Sequence, residues 1–191
     1  MFNDTSSLLS HLATRRSGKP RDLVAPGPSR EEIGRMVELA TRTPDHGKLA
    51  PWRFVVVSEE RRDALAHLLT SGYRVEKPEA GRLEIEAMEQ FARQAPALVV
   101  MLFSPRTASH IPMWEQELSA GAAGMNLLHA AHALGYAGGW LTGWPAFSDA
   151  VRDAFGAAPE RIVGFFFLGT PGKPLEERPR PDLSQMLSEW G

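Results

Sequence analysis

Apolar and polar positions along the chain predict an alternation of helices and strands. In the first two helices, apolar side chains recur every three or four positions and so share one face. The second has a clear beginning, because Ser29 and Glu32 form a capping-box pattern before the apolar stripe. The helices are expected at about residues 5–13, 29–43, 59–71, 79–94, 113–134 and 149–155, with a further helical turn at 183–187.

Four stretches are predicted to be strands because they are rich in β-branched, aromatic and other apolar residues. They are Trp52–Val57, Ala97–Phe103, Ala137–Thr142 and Arg161–Leu168. Ala97–Phe103 is apolar without interruption, which indicates a strand buried on both faces. The sequence therefore predicts an α/β or α+β sandwich in which helices cover both faces of a small sheet.

Composition removes several classes of function. The 191 residues include 21 Lys and Arg against 23 Asp and Glu, a net charge of −2, whereas nucleic-acid-binding domains are usually strongly basic. The chain has no cysteine, which excludes disulfides, thiolate nucleophiles and cysteine-based metal sites. The amino terminus has no signal-peptide pattern, and runs such as Ile162–Leu168 are too short to span a bilayer. We therefore expect one domain over residues 1–191, in the cytoplasm, with no nucleic-acid or membrane partner.

The first candidate site is Arg15-Arg16-Ser17, at the end of the first predicted helix. Two guanidinium groups and a hydroxyl beside a glycine suit a phosphate, because arginine makes bidentate charge-assisted hydrogen bonds. A solvated basic helix end is the alternative, since it complements the helix dipole. These three residues alone favour the second interpretation.

The second candidate is the loop Pro44–Trp52, which lies between a helix and a strand. Asp45 beside His46 suits a tuned proton donor. Alternatively, Asp45 only accepts a hydrogen bond from the backbone of its own turn. The sequence leaves these two interpretations even.

Two further segments are weaker candidates. Gly135–Gly143 is rich in glycine, which permits close approach to a flat ligand, although a tight helix-to-strand connection is the default interpretation. Lys173, Arg178 and Arg180 are anion candidates in a tail that is otherwise typical of a solvated segment. His129 and His132 lie three residues apart on one helix, but no carboxylate accompanies them in a metal-binding pattern, so we expect no metal.

Three segments in this order resemble the FMN-dependent nitroreductase family. They are RRS at 15–17, TPDHGKLAPWRFVVV at 43–57, and WEQE at 114–117 leading to GYAGGWLTG at 135–143. The chain is most similar to the small bacterial branch, the YdjA-like NAD(P)H nitroreductases, over nearly its whole length. This resemblance implies an α+β three-layer sandwich, with a mixed central sheet flanked by helices. It also implies an obligate homodimer with two FMN sites at the interface.

The resemblance also implies which residues hold the flavin. By its motifs, Arg15, Arg16 and Ser17 hold the phosphate and ribityl chain, and His46 reaches the flavin from the partner subunit. Trp140, Leu141 and Thr142 lie along the isoalloxazine ring, and the tail residues Arg178 and Arg180 resemble basic residues that meet the phosphate. Two positions depart from the family: Ala50 stands where glutamine is usual, and Leu141 stands where the small branch usually has arginine.

The implied activity is transfer of hydride from NADH or NADPH to FMN and then, by a ping-pong mechanism, to a small-molecule acceptor such as a nitroaromatic or a quinone. No catalytic side chain is implied, because the cofactor carries the redox chemistry. The alternatives are a flavoprotein of the same fold that reduces or oxidises another metabolite, and a flavin-binding protein without physiological turnover. The small residues of Ser119–Gly124 suggest a face on which two long helices pack across the dimer axis.

Overall fold

The computed structural model describes residues 2–191, which form a central sheet covered by helices on both faces. The strands are β1 (Leu23–Val24), β2 (Trp52–Val57), β3 (Ala97–Phe103), β4 (Ala137–Leu141) and β5 (Arg161–Pro171). The helices are α1 (Leu8–Thr14), α2 (Arg30–Ala40), α3 (Arg62–Glu76), α4 (Arg82–Arg93), α5 (Met113–Ala133), α6 (Asp149–Phe155) and α7 (Leu183–Met186).

The order of strands in the sheet is β1-β5-β3-β2, and β4 also pairs with β5. Every pairing among the described residues is antiparallel, so the expectation of a mixed sheet is wrong. The reason is the central position of β5. Strands β3 and β4 run in the same direction, but β5 lies between them, so no two parallel strands are neighbours.

Alternate residues of the central strands point to opposite faces, as strand geometry requires. Along β3, Leu98, Val100 and Leu102 pack with helices α3, α4 and α6. Val99 and Met101 of the same strand pack with α2 and α5 on the other face. All seven residues of β3 are buried, which confirms the expected strand buried on both faces and the three-layer arrangement.

The predicted helices are present among residues 2–191, and outside α3 their ends lie within three residues of the predicted ends. Ser29 caps α2 through a capping box with Glu32. After α5, Gly135 has a φ of +89°, the left-handed conformation that favours glycine at this position. Helix α3 differs most, since it begins at Arg62 after a 3-10 turn and extends to Glu76.

Helix α1 does not bury its predicted apolar face within the chain. Leu8, Leu9 and Leu12 are exposed, and the buried residue of the helix is His11. None of the helices described over residues 2–191 is long and apolar enough to cross a membrane.

Candidate functional site

Arg16, at the end of α1, is committed to contacts within its own chain. Its guanidinium is buried, donates to the carbonyl oxygen of Arg15 at 2.7 Å and forms an ion pair with Glu177. The guanidinium carbon also lies 4.7 Å from the centre of the Phe2 ring. Arg16 therefore anchors the carboxyl-terminal tail to the end of the helix.

Arg15 has different surroundings from its neighbour. Its side chain is half-buried, and Nη1 lies 3.5 Å from the hydroxyl oxygen of Ser17. Burial lowers the pKa of Arg15, and the positive charges of Arg180, Arg16 and Arg178 lower it further. Arg178 lines the same cavity as Ser17, and Arg180 reaches the carboxylate that also pairs with Arg16. These contacts bring both tail arginines to the end of α1. The carboxylate that accompanies them is Glu177, whose Oε1 lies 3.4 Å from Arg180 Nη2.

The segment that follows Arg15 and Arg16 packs directly on strand β4. Gly18 donates its backbone N–H to the carbonyl oxygen of Gly138 at 2.9 Å. A Cβ on Gly139 would lie 2.6 Å from the carbonyl oxygen of Gly18, so this position requires glycine. The glycines of β4 thus permit close approach of the chain's own backbone, which supports the interpretation of this segment as a tight connection. They also place the segment directly after Ser17 beside Gly138 and Gly139, which precede Trp140 in β4.

The side chain of Trp140 fills the layer between β5 and α5. Its Nε1 donates to the carbonyl oxygen of Val163 at 3.0 Å, and its ring packs on Phe166. Leu141 packs into the opposite face of the sheet, and Thr142 is exposed. At the end of β4, the groups available to a ligand are therefore the side chain of Thr142 and the adjoining backbone.

The loop between α2 and β2 has an unusual backbone. Gly47, Lys48 and Ala50 have φ angles of +75°, +55° and +47°. Asp45 Oδ2 accepts a hydrogen bond from the backbone N–H of Ala50 at 2.7 Å, which supports the interpretation of Asp45 as a turn residue. The carboxylate beside His46 is instead Glu115, whose Oε2 lies 2.7 Å from His46 Nδ1.

The candidate residues form two separate groups within one chain. His46 pairs with Glu115 in the first turn of α5, whereas Arg15 follows α1, whose His11 pairs with His129 near the end of α5. At a rise of 1.5 Å per residue, Glu115 and His129 are about 20 Å apart along the helix. Within residues 2–191, no hydrogen bond or ion pair joins His46 or Ala50 to the arginine group, by which we mean Arg15, Arg16, Arg178 and Arg180.

Three histidines lie between α1 and α5, beside Arg15. His11 Nε2 and His129 Nδ1 are 2.8 Å apart, so His11 has a partner that the sequence did not reveal. His132 is buried against them, and neither of its ring nitrogens has a hydrogen-bond partner among the described residues. Burial, reinforced by the neighbouring His11 and Arg15, lowers the pKa of His132 to about 3.

Several residues that build the loop were not predicted from the sequence. Arg106 donates to the carbonyl oxygen of Leu49 at 2.9 Å, and Ser119 donates to that of Pro44 at 2.6 Å. Gln116, which is 2% exposed, accepts from the backbone N–H of Arg106 at 2.9 Å. The only signal in the sequence is a polar residue, Gln116, on the inner face of an apolar helix.

Comparison with known proteins identifies the family of the chain. The profile of the family described as "Nitroreductase family" matches residues 12–170. The chain belongs to the nitroreductase family.

Two relatives resemble this chain over most of their length. One is the "Putative NAD(P)H nitroreductase" of Haemophilus influenzae, which is 38% identical over 85% of this chain and 87% of its own. The other is the "Putative NAD(P)H nitroreductase YdjA" of Escherichia coli K12, 34% identical over the same shares. These matches confirm the predicted resemblance to the YdjA-like branch.

Solved structures confirm the nitroreductase-like α+β fold. The chain superimposes with a TM-score of 0.72 on a structure from Desulfovibrio desulfuricans, described as "a putative nitroreductase in complex with FMN". The two chains are 22% identical, and the match covers 96% of each.

Proposed function

We propose that this protein is an FMN-dependent NAD(P)H oxidoreductase that acts as a homodimer. The chain forms one nitroreductase domain over residues 1–191 and works in the cytoplasm. Hydride passes from NADH or NADPH to FMN, and in a separate half-reaction to a nitroaromatic, a quinone or another electron-poor acceptor. The bound FMN supplies the redox chemistry, and the protein binds, orients and shields it.

The observation that carries this proposal is the group of guanidiniums around Arg15. Arg178 lines a cavity with Ser17, and Arg180 shares the carboxylate of Glu177 with Arg16, so guanidinium groups that repel each other gather beside Arg15. A phosphate dianion would relieve that repulsion and accept charge-assisted hydrogen bonds. The hydroxyl of Ser17 lies beside Arg15 and suits a phosphate or ribityl oxygen. Arg16 contributes differently, since it holds Glu177 and with it the tail that carries Arg178 and Arg180.

The distance between the two candidate groups supports a site built from two subunits. His46 lies far along α5 from the arginine group of its own chain, so we propose that it contacts the flavin held by the partner subunit. Trp140, Leu141 and Thr142 then lie beside the ring in the subunit that holds the phosphate. Ala50 has no side-chain hydrogen-bonding group, and its backbone N–H is occupied by Asp45. The flavin ring is therefore held with fewer polar contacts at position 50 than in relatives that have glutamine there.

The first experiment is the visible spectrum of the purified protein, followed by chromatography of the pigment that heat releases. We expect FMN. The apoprotein is then titrated with FMN and with riboflavin, which lacks the phosphate. FMN should bind more tightly than riboflavin by at least about tenfold, because each charge-assisted contact contributes about 1.5–3 kcal/mol. A colourless protein that takes up neither flavin would contradict the proposed function.

The variant Arg15→Ala tests the phosphate site itself. It should weaken FMN binding by about tenfold or more and leave riboflavin binding nearly unchanged, because the lost contact is to the phosphate. Arg35→Ala is the control, since Arg35 is an exposed residue of α2 that pairs with Glu38. If Arg15→Ala binds FMN like the control, Arg15 does not hold the phosphate.

Stopped-flow kinetics separate the proposed enzyme from the alternatives. The bound flavin should be reduced by NADH or NADPH without an acceptor, and reoxidised when a quinone is added afterwards. Retained FMN with negligible oxidation of both nucleotides would instead favour a flavin-binding protein without turnover.

A further inference from the structure

His46, which pairs with Glu115 of α5, lies on a loop whose position is fixed at several points. Ser119 binds the carbonyl oxygen of Pro44, at the start of the loop. At its end, Arg106 Nε and Nη2 lie 2.9 Å and 3.4 Å from the carbonyl oxygens of Leu49 and Ala50. The loop is therefore held to α5 and to the segment after β3 on both sides of His46.

The side chain that holds the backbone of Arg106, that of Gln116, is buried. Gln116 accepts the backbone N–H of Arg106 and donates through Nε2 to the carbonyl oxygen of Ile111 at 3.0 Å. A Cβ on Gly47 would lie 3.4 Å from Ile111 Cγ1, so the loop backbone packs on this same segment. Left-handed backbone at Lys48 and Ala50 costs free energy, and such strain persists where the surrounding contacts enforce it. These contacts thus fix the backbone from which His46 is presented.

His46 is the side chain presented. It is 63% exposed, and its one hydrogen bond among the described residues joins Nδ1 to Glu115 Oε2 at 2.7 Å. An ionised carboxylate only accepts hydrogen bonds, so Nδ1 must carry a proton in this pair. The hydrogen bond made by one ring nitrogen decides the role of the other. Nε2 is therefore the ring nitrogen that is left free to meet a ligand.

We propose that Glu115 is a positioning residue that fixes the tautomer and the orientation of His46, so that Nε2 serves as the proton donor for the acceptor. This inference rests on the proposed function, in which His46 reaches the flavin of the partner subunit. Reduction of a quinone to a hydroquinone takes up two electrons and two protons. Hydride from the flavin brings both electrons and one proton. The second proton comes from Nε2 of the imidazolium, and water then reprotonates the neutral ring.

The first test reads the tautomer of His46 by nitrogen NMR of the ¹⁵N-labelled protein, with His46→Gln used to assign its signals. In the neutral ring of the parent protein we expect the proton on Nδ1. Glu115→Leu should shift the ring toward the Nε2–H form, because the acceptor is lost. Glu117→Leu is the matched control, since Glu117 is an acidic residue two positions along the same helix that pairs with Arg161 instead. An Nε2–H ring in the parent protein, or no change in Glu115→Leu, would overturn the proposal.

The second test measures reoxidation of the reduced, FMN-loaded protein by a quinone in a single turnover. Glu115→Leu should slow this step by about tenfold or more in protein that is fully loaded with FMN, in line with the contribution of a positioned proton donor. Glu117→Leu should retain the parent rate. A changed tautomer with an unchanged rate would overturn the role in proton transfer. Failure of the parent protein to bind FMN would overturn the proposed function, and the tautomer measurement would still decide the pairing of Glu115 with His46.

Discussion

At the scale of single residues, His132 combines deep burial with a titratable ring. It is 2% exposed on α5, and the pKa of its ring is lowered from 6.5 to about 3, first by burial and then by the charges of His11 and Arg15. The folded protein therefore keeps His132 neutral over a range of pH in which the unfolded chain protonates it. This difference links the free energy of unfolding to pH.

The sign of that dependence follows from the two pKa values. Above about pH 6.5 the ring is neutral in both states and has no effect on stability. Between about pH 6.5 and 3 the unfolded chain binds the proton and the folded chain does not. The free energy of unfolding therefore decreases as the pH is lowered through this range. From pH 7 to pH 5 we expect His132 to account for a loss of about 2 kcal/mol.

The variant His132→Leu should remove this part of the pH dependence, because leucine fills a similar volume and cannot be protonated. The free energy of unfolding in urea is measured at pH 7 and at pH 5 for both proteins. His67→Leu is the control, since His67 is exposed on α3. Equal losses in His132→Leu and in the parent protein would show that His132 does not produce the effect.

At the scale of elements, a buried arginine joins helices α3 and α4. Arg62 is 7% exposed, and its guanidinium lies 2.8 Å, 3.3 Å and 3.5 Å from the carbonyl oxygens of Ala92, Gln94 and Ala95. Burial lowers the pKa of Arg62 to about 10, so the group stays charged at pH 7. A cation at the carboxyl end of α4 also complements the helix dipole.

Replacement of this arginine should loosen the packing of the two helices. Arg62→Met keeps much of the side-chain volume but leaves carbonyl oxygens at the end of α4 without a donor. We expect a loss of about 2–4 kcal/mol in the free energy of unfolding, measured in urea. Arg61→Met, at the exposed neighbouring position, should change stability by less than about 0.5 kcal/mol. If both variants lose the same amount, the contacts of Arg62 contribute nothing specific.

The elements differ in how far the sequence alone predicted them. The bounds of β2 and β3 were predicted correctly, because β2 is rich in aromatic and β-branched residues and β3 is a continuous apolar run. Strand β1 was missed, since Leu23 and Val24 form a strand only through pairing with Pro171 and Thr170, far along the chain. The arginine group has the same origin, because only the folded tail brings Arg178 and Arg180 to Arg15.

The spacing of apolar or small residues along a helix also does not reveal whether that face packs inside the chain or stays exposed. The leucines of α1 have helical spacing, yet they are exposed in this chain. The stretch Ser119–Gly124 reads as one smooth surface, but the structure divides it between two faces of α5. Gly124 packs inside the chain, where a Cβ would lie 2.9 Å from Phe166 Cζ. Gly121 has no atom within 4 Å of a Cβ and faces outward.

At the scale of the whole molecule, exposed apolar residues on α5 form a surface where we expect the proposed homodimer to assemble. Trp114 and Leu118 are 67% and 55% exposed, and Gly121 lies on the same face of α5, at helical spacing from both. Large exposed apolar patches are typical of interaction surfaces. The outward face of α5, at Trp114, Leu118 and Gly121, is therefore where we expect two helices to pack across the dimer axis.

A pair of substitutions on α5 tests this interface. Gly121→Leu should raise the dissociation constant of the dimer by at least about tenfold, because a large side chain separates two closely packed helices. Gly124→Leu should instead destabilise each chain by about 1–3 kcal/mol or more, because the leucine overlaps Phe166 and Trp140 in the core. Sedimentation measures the first effect, and urea unfolding at one protein concentration measures the second. A dimer of unchanged affinity in Gly121→Leu would show that the outward face of α5 lies outside the interface, and the two-subunit flavin site would then need another contact surface.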